Sequence, residues 1–213
     1  MKKYILLLIV ALSMNLSFSQ HEKNNIGINI GPNYTSFKDG YISDNSKGSI
    51  GYFLGLSYEY FYNDNLSFIT NLNLEVKSLT YKANYFEDFE EEFRERNFKN
   101  QYLYLTFPLM LKYEFPNSNS LYVTGGASVN ILTAGITKLD GEIIYDSVGS
   151  TQIDVGIPVG IGKIFKLNEK NEIKLELRYD HQIANLKKEE FIINPLKANT
   201  FGLIINWNFK VYK

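Results

Sequence analysis

Apolar side chains recur at every second position over most of this chain, and helical spacing is nearly absent. Ile26, Ile28 and Ile30 alternate with Gly27, Asn29 and Gly31, and the same period runs through 51–60, 66–77, 103–114, 121–131, 153–162, 173–180 and 200–209. Eight strands are predicted. Several run to ten residues or more, where five or six is usual for a soluble protein, and ten matches a tilted crossing of a hydrocarbon core. The connections alternate in length. Short ones at 63–65, 116–119 and 168–171 carry turn-forming Asn, Asp, Pro and Ser; longer ones fall near 38–49, 82–100, 134–150 and 186–198. An even number of strands joined by alternating short and long connections predicts an all-β, eight-stranded antiparallel up-and-down transmembrane β-barrel, with both termini on the side of the short turns.

The first nineteen residues do not share the pattern. Lys2 and Lys3 precede an apolar run from Ile5 to Leu12, and Ser17 and Ser19 supply the small residues a signal peptidase reads. The expectation is a cleaved signal peptide over 1–19, a barrel domain over 20–213 and export to the outer membrane. The apolar run is shorter than the roughly 20 residues a membrane helix requires. Composition narrows the chemistry. There is no Cys and only two His, which leaves no thiolate metal site and little material for a zinc centre or a triad. With 22 basic and 23 acidic residues and no basic run, the chain lacks the positive footprint of a nucleic-acid binder. No cofactor, metal site or catalytic residue is expected.

Period two alone does not decide which face is outside, because a soluble lipocalin-like carrier alternates with its apolar face inward. Three features favour lipid outside. Glycines gather on the polar face, as crowding near a narrow axis requires. On the apolar face Tyr58, Tyr60, Phe68, Tyr113, Phe115, Phe165, Trp207 and Phe209 sit toward the short turns, where an interfacial aromatic girdle belongs. The polar face carries both charge signs: Glu59, Glu75, Lys77, Lys112, Glu114, Lys174, Glu176, Arg178 and Asp180. An eight-stranded barrel is just wide enough for its own side chains, so these charges are expected to pair into a lumen network, with Glu75 and Arg178 as the preferred contact. The competing reading of the same charges is proton or ion conduction through a narrow channel.

The segment Tyr102-Leu103-Tyr104-Leu105-Thr106-Phe107-Pro108-Leu109-Met110-Leu111-Lys112-Tyr113 resembles a strand of the outer-membrane β-barrel domain family of Bacteroidetes, the porin-family or PorT-like proteins. Gly125-Gly126-Ala127, Val159-Gly160-Ile161-Gly162 and Leu175-Glu176-Leu177-Arg178-Tyr179 add to the resemblance, which is more distant for small OmpA/OmpX-type barrels. The resemblance implies a barrel without shared catalytic residues, handled by the outer-membrane assembly machinery, surrounded by lipid and lipopolysaccharide, with a surface or secretion-system protein as partner. It also implies a terminal aromatic assembly signal, for which Phe209 and Tyr212 both stand as candidates.

Outside the strands, Phe86, Phe89 and Phe93 follow i, i+3, i+7 spacing beside Glu90, Glu91 and Glu92, which predicts a short amphipathic helix on the barrel mouth. Its acids read either as a partner or divalent-cation surface or as a solvated loop. His181 lies in the apolar register, where some outer-membrane lipid hydrolases place a His and a Ser, but position 183 here is Ile. Pro108 and Pro158 each remove a ladder donor, predicting bulges or register shifts at those points.

Overall fold

A computed structural model of the chain describes residues 23–38, 46–86, 93–116, 118–148, 152–187 and 197–212. The 1–19 leader lies outside them. The described chain forms strands β1 (Lys23–Lys38), β2 (Ser46–Phe61), β3 (Leu66–Phe86), β4 (Phe93–Glu114), β5 (Leu121–Leu139), β6 (Glu142–Val148), β7 (Ile153–Lys166), β8 (Asn171–Lys187) and β9 (Lys197–Tyr212). Every pairing is antiparallel, and β9 returns to β1 from Lys23↔Tyr212 to Lys38↔Lys197. The ring runs β1, β2, β3, β4, β5, β7, β8, β9 and back to β1, an eight-stranded up-and-down barrel. All eight strands predicted from the alternation are present.

The loop end differs from expectation in two places. Residues 134–150 were expected as a loop, yet β5 continues to Leu139 and β6 folds back on it, pairing Leu139↔Glu142 through Ala134↔Val148. The reason is local: Asp140 and Gly141 have φ of 47° and 101°, and an Asp-Gly pair with both residues left-handed is the preferred two-residue hairpin turn. The second correction concerns the helix expected from Phe86 to Phe93. Both residues belong to strands and face each other as the last pair of the β3–β4 ladder. Cross-strand pairing therefore takes both end residues of the expected helix. Phe89, Glu90, Glu91 and Glu92 lie outside the described residues.

The prolines behave differently from expectation too. Pro108 sits opposite Ser128 in an unbroken β4–β5 ladder, and toward β3 the register is the same on either side, Thr70↔Leu109 and Asn73↔Thr106. Pro158 sits opposite Asp180, and the nearest register shift of β7 against β8 falls between Val155 and Gly156. A strand residue sends its N–H to one neighbour only, so a proline opens pairing on one side and leaves the register intact. Two of the three short turns are closed by asparagine. Asn63 Oδ1 accepts the N–H groups of Asn65 (2.9 Å) and Leu66 (2.8 Å), and Asn168 Oδ1 those of Lys170 (2.9 Å) and Asn171 (2.8 Å).

Side-chain placement settles which face is outside. Leu72, Leu109 and Ile157 are 42%, 47% and 45% exposed on the outer wall, while Glu59 and Lys112 are 2% and 1% exposed within. That is the inverse of a lipocalin. The inner glycines mark places where a neighbour's side chain crosses the wall: a Cβ on Gly160 would lie 2.5 Å from both Glu176 Oε1 and Thr124 Oγ1. The Gly160→Ala variant is therefore expected to lose about 1–3 kcal/mol of stability. Gly125→Ala, where a Cβ would meet no atom within 4 Å, serves as the neutral control. Urea unfolding of the refolded barrels in detergent reads both.

Candidate functional site: a filled lumen beneath a raised sheet

At the short-turn end the lumen is closed by an ion cluster centred on Glu59. Its carboxylate takes Lys112 Nζ at 2.7 Å from β4 and also pairs with Lys174 from β8. Ser67 donates its hydroxyl to Glu59 Oε1 at 2.6 Å, and Asn25 donates its amide to Glu172 Oε1 at 3.0 Å. Glu172 and Glu114 stand 3.3 and 3.7 Å from Lys174 and Lys112. Phe61 and Tyr122 lie against the Lys112 ammonium, 5.2 and 5.5 Å from ring centre to nitrogen. Asn25 also donates to Glu59 Oε2 at 3.3 Å, so β1, β3, β4 and β8 converge on one β2 carboxylate, with donors filling what the two ammonium groups leave.

Above it, Glu176 accepts from Tyr122 Oη (3.1 Å), Thr124 Oγ1 (3.2 Å) and Arg178 Nε (2.6 Å). The expected Glu75–Arg178 pair does not form: Arg178 is held by Glu176 two positions earlier on its own strand. Glu75 instead has Lys77 at 3.8 Å and accepts the Asn33 amide at 2.8 Å. Alternation placed Glu75 and Arg178 on the same wall and around the same small cavity; their rotamers were not legible in it. Asp180 accepts from Ser128 Oγ at 2.9 Å. Nearer the loop end the inner face turns apolar, and Phe37, Leu79 and Ala198 pack together with Tyr81 and Tyr102 against them.

Tyr58, Phe68, Tyr113, Phe115, Phe165, Trp207 and Phe209 are exposed on the outer wall near the short turns, and Tyr60 is half-buried among them. Tyr113 and Phe115 meet edge to face at 5.3 Å. A second aromatic group, not singled out from the sequence, stands toward the other end: Tyr34, Tyr52, Tyr179 and Phe201. Tyr179 and Phe201 lie 4.6 Å apart. Its signal was the same outward parity eight positions away, Phe201 to Phe209, which is about 26 Å of strand. His181 is outward and exposed, with Nδ1 2.7 Å from Asn199 Oδ1 and 3.5 Å from Tyr179 Oη. The sequence reading also passed over Asn33, Asn73, Asn130, Tyr104, Asp154 and Glu172, which share the inward parity but carry no paired-charge signature.

Beyond the second aromatic group, β3, β4, β5 and β6 continue, among the described residues, as a sheet past the ends of their neighbours. Lys82↔Asn97 through Phe86↔Phe93 extends β3–β4 past the last β2 pair, Ser46↔Tyr81, and Phe98↔Leu139 ties β5 to β4. Arg96 reaches Asp140 at 3.1 Å, fixing the β5–β6 turn to β4. Ile143 and Ile144 of β6 are both exposed.

A closed ring with an aliphatic outer band, aromatic borders and a charged, filled interior defines a transmembrane β-barrel. The chain belongs to the outer membrane protein beta-barrel domain family, whose sequence model matches residues 4–209. It is a small outer-membrane β-barrel protein. Among solved structures it is similar to Neisserial surface protein A (16% identity, 88% of this chain and 97% of that one, TM-score 0.48). It is also similar to Ail, the attachment invasion locus protein of Yersinia pestis (16%, 87% and 99%, 0.41). A third is OprG of Pseudomonas aeruginosa (16%, 92% and 97%, 0.44). No curated protein matches the chain.

Removing the hub tests the lumen network. Glu59→Ala leaves two ammonium groups inside the barrel without their shared partner, and a loss of about 3–5 kcal/mol is expected. A urea midpoint within error of the unmodified barrel would show that Glu59 is not the organising charge.

Proposed function

We propose that this protein acts at the cell surface as a structural or binding barrel, presenting the raised β3–β6 sheet and the adjoining connections to an outside partner. The observation that carries the reading is that the lumen is obstructed twice, by the Glu59 cluster at one end and by Phe37, Leu79 and Ala198 toward the other, while four strands extend past the membrane band. A wall held by paired charges and packed rings offers no continuous water path, whereas a stiff sheet held clear of the lipid gives a partner something to grip. The short turns and both termini face the periplasm in this reading, following the general rule for such barrels.

The leader over 1–19 directs export, and the outer-membrane assembly machinery inserts the mature chain. Lipid and lipopolysaccharide surround the aliphatic band, with Phe209 or Tyr212, both in β9, as the assembly signal. Membership among the porin-family, PorT-like proteins of Bacteroidetes rests on the strand segments quoted above, and a secretion-system protein is the partner class that resemblance suggests. His181 serves as an interfacial residue: its ring nitrogen is engaged by Asn199 and Tyr179, and Ile183 occupies the place a serine would need for lipid hydrolysis.

Conductance in planar bilayers separates this reading from a channel. The refolded barrel is expected to give no stepwise currents in molar KCl; discrete, reproducible openings would transfer the assignment to a narrow pore.

A further inference from the structure

The outer face of the raised sheet sets two lysines directly opposite each other. Lys99 of β4 pairs with Lys138 of β5, in a row that runs Thr80↔Lys99↔Lys138↔Ile143 across four strands. Their neighbours Phe98 and Leu139 take the inner face, where Phe98 is buried and stacks on Tyr81 at 5.2 Å, so both lysines belong to the outer one. Residues facing each other across a ladder are rooted about 5 Å apart, and like charges so placed destabilise a sheet. Among the described residues no carboxylate lies within ion-pairing distance of either ammonium, and Asp140 at the adjoining turn is taken by Arg96. The acids that share their parity stand off the row: Asp146 opposite Ile136, one rung below, and Glu95 opposite Asn84, two rungs above Lys99.

Height decides what can offset this repulsion. From Tyr113 in the lower girdle to Lys99, β4 runs about 46 Å, or about 35 Å along the membrane normal at a tilt of about 40°. The apolar band of an outer-membrane barrel is about 25 Å tall, so the pair stands about 10 Å beyond it, past Leu103, the last outward aliphatic residue of β4. That is the level of headgroups. Both lysines point sideways into the lipid layer, and Thr80 and Gln101 bring hydrogen-bond donors to the same face beside them. Two ammonium groups with neutral donors at their side suit a phosphate, which takes several short charge-assisted hydrogen bonds at once.

We propose that Lys99 and Lys138 form a clamp for the phosphate of an outer-leaflet lipid, which relieves their mutual repulsion and fixes the base of the raised sheet to the membrane surface. The placement rests on the orientation given above, with the short turns in the periplasm.

The test compares the full mature barrel, refolded in an uncharged detergent, with its Lys99→Gln/Lys138→Gln variant. Bisphosphorylated lipid A and the same lipid stripped of its phosphates are the probes, and native mass spectrometry counts the lipid retained per barrel. The unmodified barrel is expected to half-saturate at about tenfold lower concentration of the phosphorylated lipid than of the stripped one, and the variant to lose that preference. Lys166→Gln/Lys170→Gln removes the same charge at the short-turn end and is expected to keep it. Heat conversion of the folded gel band adds a sign: without lipid the variant is expected to convert no lower than the unmodified barrel, and with phosphorylated lipid clearly lower. Equal retention of the two lipids, or an undiminished preference in the variant, would overturn the proposal and leave the lysines to an acidic protein partner. Displacement of the lipid by inorganic phosphate at equal concentration would overturn it too, in favour of a free ion. Lipid retention is read on the isolated barrel, so its failure leaves the surface role standing. Orientation is read apart, by labelling Ile143→Cys in intact cells with an impermeant maleimide, since the chain has no other cysteine; labelling is expected, and its absence beside a retained phosphate preference would fault the orientation and uphold the clamp.

Discussion

Closure of the hydrogen-bond ladder is the constraint on which everything else in this molecule depends. Hydrocarbon supplies no partner for a backbone N–H or C=O, so a sheet crossing it must have no edge within the membrane. Pairing of β9 with β1 over the whole of both strands removes that edge. Once the ring is closed, period two has only one physical meaning: one parity touches acyl chains and the other is confined near the axis. The same constraint relaxes where the chain leaves the membrane, and that is where β6, with pairing to β5 alone, is tolerated as an edge.

Confinement explains the composition of the inner parity. Eight strands enclose an interior little wider than their own side chains, so long inward groups meet one another and small ones stand beside them. Long charged groups reach across to one another, as Lys112 and Lys174 do to Glu59. Glycine appears where a neighbour's carboxylate lies over the wall, as at Gly156 beneath Asp180 and Gly160 beneath Glu176. Apolar inward residues such as Phe53, Met110 and Ile204 fill what remains. The interior is thus a packed polar core with apolar inserts, the reverse of a soluble domain in solvent but similar in its demand that buried groups be satisfied.

Much of this was legible in the chain itself. Strand number, order and parity follow from alternation because one-residue slips would move every charge into lipid. The girdle positions near the short turns follow from the same parity plus aromatic type. Three things were not legible, each for a physical reason. Long connections were placed where polar residues cluster, yet outside the membrane a strand has no need to alternate cleanly, so β3, β4 and β5 run on unseen. The Asp140-Gly141 signal for the β5–β6 hairpin was present and was outweighed by the loop-like composition around it. Which charge meets which, Glu75 with Lys77 and Arg178 with Glu176, depends on stagger and rotamer, and period two carries neither.

Trp207 is the single tryptophan of the chain, and it points outward from β9 at 50% exposure. Its fluorescence in vesicles of brominated phosphatidylcholine reports directly on which parity touches lipid. With the barrel refolded into such vesicles, bromines placed near the headgroup should quench it strongly, those near the chain ends less, and aqueous iodide hardly at all. Emission untouched by brominated chains but quenched by iodide would put the apolar parity in water and contradict the account.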